Sequence, residues 1–277
     1  RQGFRTAAFV KIGDDRNGDE ALRDLKCENI TSYAARDKRY GTSYSVILVS
    51  PNGERTILDY RGASRYMTRK DAPLKKLRAR WAYISTGHIA LPVMKAIIAH
   101  LKKEKMRIAM NPSQYYLTMG LKRLRPILGA LDVILLNREE GAYLTGIPFE
   151  NEKKIFKKFD QIVKGIAVMT DGPRGVLVSD GKNIYRAGIF KEKKVVDRTG
   201  AGDAFGSGFV AGLIEKSKIQ FKKEKFSTDE INYAIRLGSA NGTSVVEHVG
   251  TTPGVLTRPA FSSPRWRDLR ISVKNLV

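Results

Sequence analysis

Short apolar runs alternate with amphipathic stretches along most of the 277-residue chain, and this alternation constrains the fold more than any other feature. "TAAFVKI" (6–12), "WAYIST" (81–86), "RIAMN" (107–111), "DVILL" (132–136) and "GIAVMT" (165–170) read as strands buried on both faces. Between them, "LPVMKAIIAHLKK" sets Leu91, Met94, Ile97, Ile98 and Leu101 on one helical face. "TMGLKRLRPILGAL" is also helical in pattern, with a proline expected to kink or break it. Strand–helix alternation of this kind predicts an α/β fold, a mainly parallel sheet covered by helices. Ligands of such sheets bind beyond the carboxyl ends of the strands.

One segment departs from the rhythm. "TSYSVILVSPNGERTILDYRGAS" (42–64) is two β-rich runs around Pro51-Asn52-Gly53, and it predicts a hairpin projecting from the sheet. Two strands alone are marginal in water, so the hairpin must pair with further strands or with a second subunit. Tyr44 is expected in cross-strand packing, whereas Thr42 is a candidate to face a bound acceptor.

A chain this long and 42% hydrophobic buries a sizeable core. It has no run of 18 apolar residues, so no transmembrane helix is expected, and "RQGFRTAAFVKIGDD" lacks a signal-peptide layout. One cysteine, Cys27, excludes an internal disulfide framework and a multi-cysteine zinc site. A partly buried thiol on a helix is expected there, in a reducing cytoplasm. His88, His100 and His248 show no metal-ligand pattern, and Trp81 and Trp266 read as packing residues. Residues 258–277 read as a terminal extension that docks on the body.

Fifty Lys plus Arg against 28 Asp plus Glu give a formal charge of +22. The basic residues are scattered through 69–80, 101–107, 122–125, 153–158 and 221–226, each stretch interleaved with apolar residues. Such stretches predict the solvated faces of amphipathic helices. No RNA-recognition aromatic motif or zinc-finger spacing accompanies them, so specific nucleic-acid binding is not expected. The charge suits phosphorylated ligands.

The stretch that bears chemistry is "VVDRTGAGDAF" (195–205). "KKVV" reads as a strand, and "AGDAFGSGFVAGLI" as a helix with Phe205, Phe209 and Leu213 at i, i+4 and i+8. Small residues at a strand-to-helix junction leave backbone N–H groups and a positive dipole end open to phosphate. Gly206, Gly208 and Gly212 each cost a helix about 1 kcal/mol relative to alanine, tolerable where another helix or a ligand packs tightly. Asp203 falls in the first helical turn. Its carboxylate either accepts a proton from a hydroxyl attacking a bound phosphate or simply stabilises its own helix. A dinucleotide fold does not fit, because the motif comes late and no acid closes a second strand; a Walker A sequence is absent.

"DRTGAGDAFGSGFVAGL" resembles the C-terminal signature of the ribokinase-like (PfkB) carbohydrate and nucleoside kinases. The resemblance implies a three-layer α/β/α core over 1–27 and 65–277 with a small β-lid over 28–64. It makes Asp203 the general base and the amides of Gly200, Ala201 and Gly202 the anion hole, with Arg198 standing where Thr is usual. "LNREEGAYLTG" resembles the family's N-x-x-E element, so Asn137 and Glu140 would hold Mg²⁺ and phosphates through water; on residue type alone the pair reads as a helix start. "VMTDGPRGVLV" resembles the segment that precedes the nucleotide, with Thr170, Gly172 and Gly175 as contacts. "SANGTSVVEHVGTTPG" resembles the helix and loop beside adenine, with Asn241 and Gly250. The backbone at Asp197, Thr199 and Gly250 matches the family's monovalent-cation neighbourhood, implying K⁺.

The resemblance thus implies an ATP-dependent, Mg²⁺-requiring phosphotransferase acting on a hydroxyl of a sugar or nucleoside, cytoplasmic, and a homodimer through the lid. The alternative is a non-catalytic ligand-binding or regulatory protein that retains the kinase fold. The start of the sequence resembles the stretch just after the family's N-terminal glycine-rich signature. A preceding segment carrying an Asp and an Asn that grip the acceptor is therefore expected.

Overall fold

The structure is a computed structural model in which residues 1–49, 55–217 and 225–276 are described. By their internal contacts, the residues form two compact units: Phe4–Arg80 with Thr86–Met106, and Arg1–Gly3 with Trp81–Ser85 and Arg107–Val277.

In the first unit, β1 (Ala7–Gly13) pairs in parallel with β2 (Thr31–Asp37) through the crossover helix α1 (Arg16–Cys27). Asp15 caps α1, accepting from Gly18 N at 2.8 Å. The same carboxylate accepts from Thr42 N at 2.7 Å and from the Thr42 hydroxyl at 2.6 Å, while Gly13 N donates to Thr42 Oγ1 at 2.9 Å. These bonds, led by the Thr42 hydroxyl, lower the Asp15 pKa below the usual aspartate value. No side chain fits at Gly13, where a Cβ would stand 2.5 Å from Thr42 N.

β3 (Tyr44–Val49) and β4 (Arg55–Tyr60) form the expected antiparallel pair, with Tyr44 opposite Tyr60 and Val46 opposite Leu58. The Tyr44 and Tyr60 rings pack at 5.4 Å. The turn at Pro51-Asn52-Gly53 lies outside the described residues. On α2 (Leu91–Lys103), all five residues of the expected apolar face are buried. Two expectations fail in this unit. Cys27 is exposed, because it ends α1. The basic stretch 69–80 holds only a 3-10 turn at Leu74–Lys76, since Pro73 disfavours helical geometry in the residue before it.

The second unit is built on a seven-stranded sheet, parallel from β5 (Trp81–Ser85) through β6 (Arg107–Asn111) and β7 (Val133–Asn137) to β8 (Ile166–Thr170). β9 (Val176–Ser179), β10 (Asn183–Ala187) and β11 (Ile271–Asn275) continue it antiparallel. The C-terminal extension thus docks as an edge strand. Between β6 and β7 lie α3 (Gln114–Leu117) and α4 (Gly120–Leu128), and between β7 and β8 lie α5 (Arg138–Thr145) and α6 (Glu152–Asp160). Helix α4 runs through Pro126 to Leu128. The break falls earlier, at the turn over Thr118 and Met119, after which α4 starts on Gly120 with φ +75°.

Helices α7 (Ala201–Lys216) and α8 (Thr228–Val245) cover one face of this sheet. Phe205, Phe209, Leu213, Ile231 and Ile235 pack there on Val133, Leu135, Val168 and Val178. The glycines of α7 let the two helices touch: a Cβ on Gly208 would lie 2.7 Å from Asn241 Nδ2, and one on Gly212 would lie 2.6 Å from Ala234 Cα. On the opposite face α5 rests on Met169, whose sulfur is 2.7 Å from where a Gly141 Cβ would be. "KKVV" is not a strand. Val196 N and Asp197 N both donate to the single carbonyl of Val246, and Val195 and Val196 remain exposed. Short α9 (Arg258–Phe261) and buried Trp266 close the end of this unit. Among the described residues no helix is long and apolar enough to cross a membrane.

Candidate active site

Asn111, Asn137 and Thr170 are the last residues of β6, β7 and β8, so three adjacent parallel strands deliver polar side chains to one end of the sheet. Asn137 and Thr170 are direct register partners. That is the end where open α/β sheets bind ligands.

Helix α7 begins beside this row with no side-chain cap. Its N-cap, Gly200, is left-handed at φ +80°, and a Cβ there would press to 3.0 Å from Thr251 Cβ. Ala201 N reaches Arg198 O only at 3.4 Å, while Gly200 O accepts from Ala204 N at 2.8 Å. A Cβ at Gly202 would meet no atom within 4 Å, so the chain is open to an approaching group there. Arg198 is exposed.

Asp203 occupies the first turn of α7 and is exposed, yet the protein atoms around its carboxyl desolvate it enough to raise its pKa above the ordinary aspartate value. The Tyr83 hydroxyl stands 2.5 Å from the place of a Gly206 Cβ, one turn further along the same helix face. It hydrogen-bonds with Asn111, and burial followed by the charge of Asp203 drives its pKa upward. Tyr83 and Asn111 were invisible as site residues in the sequence, because only the register of β5 with β6 brings them together.

The start of α5 is arranged differently. Asn137 Oδ1 accepts from Glu140 N at 2.7 Å and Glu140 Oε2 accepts from Asn137 N at 2.7 Å, a complete capping box. The helix-start reading of this pair therefore holds. Burial first, then the charges of Glu139 and Asp203, raise the Glu140 pKa, so Glu140 and Asp203 lie within each other's field. A divalent cation would relieve that repulsion. Among the described residues no cluster of three or more His, Cys, Asp or Glu is gathered for a metal.

Beyond β8, Asp171 N donates to Gly175 O at 2.8 Å and Gly175 N to Gly172 O at 3.1 Å, closing a tight loop after Thr170. Gly175 has φ +95° and no room for a Cβ, 2.1 Å from Ala187 O; the Cβ position at Gly172 is open. Further on, Asp197 accepts from Thr199 N at 2.9 Å and from Gly250 N at 3.3 Å, which brings these three residues together. Asn241 is placed elsewhere. It is buried between α7 and α8 and its Oδ1 accepts from Leu256 N at 3.0 Å, so its carboxamide supports the following loop. Thr42 is buried in the first unit with its hydroxyl engaged by Asp15 and Gly13 N.

A family model described as "pfkB family carbohydrate kinase" matches residues 1–258. The chain belongs to that family. The probable fructokinase-7 of Arabidopsis thaliana is 28% identical over 273 residues, covering 92% of this chain and 77% of that protein. Among solved structures, an adenosine kinase from Sinorhizobium meliloti superposes with a TM-score of 0.79 at 21% identity, over 91% of this chain and 75% of its own. A fructokinase from Vibrio cholerae O395, in its fructose-, ADP- and calcium-bound form, gives a TM-score of 0.74 at 20% identity, over 94% and 85%. The pfkB chain described here thus has the ribokinase-like α/β fold.

Proposed function

We propose that this pfkB-family protein transfers the γ-phosphoryl group of ATP to a hydroxyl of a sugar or nucleoside. The observation that carries the reading is the uncapped, glycine-led start of α7 with Asp203 in its first turn. The amides of Gly200, Ala201 and Gly202 would hold the phosphoryl group during transfer, aided by the helix dipole. Asp203, its proton affinity raised by desolvation, would take the proton of the attacking hydroxyl. No covalent intermediate on the protein is required, because positioning and charge neutralisation carry phosphoryl transfer.

Glu140, with Asn137, would hold hydrated Mg²⁺, which supplies charge neutralisation at the phosphates. Thr170, Gly172 and Gly175 would flank the nucleotide, Arg198 would add a phosphate contact, and the Asp197–Thr199–Gly250 backbone would hold K⁺. The hydrogen bonds that occupy Asn241 and Thr42 support roles in shaping loops rather than in touching ligand. In the lid, Tyr44, Val46, Leu48, Leu58 and Tyr60 lie on one exposed face of a two-stranded sheet, with Ile47 and Ile57 exposed on the other, and we infer that a second copy covers the larger face. A solution mass of twice the monomer would bear this out, and a monomer at assay concentration would end it. The exposed single cysteine suits a reducing cytoplasm.

The experiment is Mg²⁺-dependent ADP formation measured across D-ribose, D-fructose, fructose 6-phosphate and adenosine. Acceptor-dependent ADP with at least one of them is expected. ADP release that no acceptor stimulates would contradict the reading.

A further inference from the structure

The first residues beyond β7 and β8 are Arg138 and Asp171, one step past the register pair Asn137 and Thr170. Arg138 Nη1 donates to Asp171 Oδ2 at 2.8 Å, with both side chains mostly buried at 14% and 8% exposure. The rest of the guanidinium is also engaged. Nε donates to Phe149 O at 3.2 Å, Nη2 lies 3.6 Å from Glu152, and the group stacks over the Phe149 ring at 4.2 Å. Asp171 is held well below the usual carboxylate range, first by Arg174 and then by Arg138. A buried pair is worth keeping only when further hydrogen bonds support it, and here Nε supplies one to Phe149 O while Arg174 supplies others to Asp171.

The pair bonds the first turn of α5 directly to the loop after β8, alongside the longer contact of Arg174 over the Phe149 ring. Arg138 is the first residue of α5, whose start carries Asn137 and Glu140. Asp171 opens the loop that closes at Gly175. We propose that the Arg138–Asp171 pair is a brace that positions the Glu140 helix start against the Thr170–Gly175 loop, and so sets how tightly the polyphosphate of a nucleotide is held. This rests on the kinase reading, and it makes both residues positioning residues that touch no ligand.

The arrangement permits a clean test, because neither acid depends on Arg138 alone. Asp171 also binds Arg174 at 2.6 Å, and Glu152 also pairs with Arg186. Arg138→Gln therefore strands no buried charge and should fold. In calorimetric titration with Mg·ADP, which needs no acceptor, we expect Arg138→Gln to weaken binding about tenfold or more, as misplacement of binding groups does. Arg138→Lys, which keeps the charge and one donor, should stay within about threefold. Arg186→Gln, which touches only the outer end of the network, should bind like the wild type. In turnover, the KM for ATP should rise while the acceptor KM stays put. A folded Arg138→Gln protein with wild-type Mg·ADP affinity would overturn the brace. Should that variant not fold, Asp171→Asn carries the same expectation and the same refutation. A wild-type protein that binds no Mg·ADP would overturn the kinase reading itself, and the brace with it.

Discussion

Two helices of the second unit start at the same end of one sheet, and they solve the problem of their unpaired N–H groups in opposite ways. α5 closes itself: Asn137 and Glu140 bond each other's backbone in a capping box. α7 stays open, led by a left-handed glycine with no side-chain bond, and Asp203 in its first turn caps nothing. Relative to the Gly200 that stands there, Ser, Thr, Asn or Asp at the N-cap would have added only a few tenths of a kcal/mol. The amides at the start of α7 thus carry no side-chain cap while those of α5 do, which is the contrast the proposed anion hole draws on. A closed start has its amides occupied by its own side chains, and an open one leaves them accessible.

Three changes test this contrast, in decreasing size. Gly200→Ala forces a side chain into the left-handed region and against Thr251, displacing the amides. Turnover should fall by about 10², the scale of losing one preorganised anion donor. An unchanged rate would show that the open start has no catalytic part. The pH profile comes next. As the proposed base, Asp203 would act only when ionised, and its raised pKa places the acidic fall of turnover at a pH above the ordinary value of 3.8, steepening toward about tenfold per pH unit. The sign for stability is opposite. Because desolvation disfavours the folded protein's ionised Asp203, this group destabilises the fold at high pH, and that cost is relieved as pH falls through its folded pKa. Activity should therefore be lost in protein that circular dichroism still reports as folded; simultaneous loss of both would detach the profile from Asp203. The smallest effect belongs to the closed start. Asn137→Ala should cost about 1 kcal/mol in denaturant unfolding, the worth of a cap. An unchanged midpoint would mean that the capping box contributes nothing.

Much of this arrangement was legible in the residues. The buried strands β6, β7 and β8 announce themselves as aliphatic runs, and the apolar face of α2 emerges whole from helical spacing. The glycines of α7 signalled close helix packing, and α8 supplies it at Gly208 and Gly212. What escaped depends on register. Tyr83 and Asn111 meet because β5 lies beside β6, and Arg138 meets Asp171 across 33 positions because Asn137 pairs with Thr170. Local propensity also misled at two places. Pro126 sits inside a helix whose neighbours hold it, and "KKVV", β-like in composition, finds only one carbonyl to bond. For Asn241 the motif gave no sign of the structural bond its Oδ1 accepts from Leu256 N.

The claim that the open start of α7 is the reaction centre is tested most directly by Asp203→Asn. The substitution keeps the size of the side chain and removes its ability to take a proton. Measured on whichever acceptor the wild type phosphorylates, turnover should drop by about 10³, within the range of general-base catalysis, with Mg·ADP affinity unchanged and the melting temperature no lower than that of the wild type. A variant that folds, binds nucleotide and turns over near the wild-type rate would contradict the account.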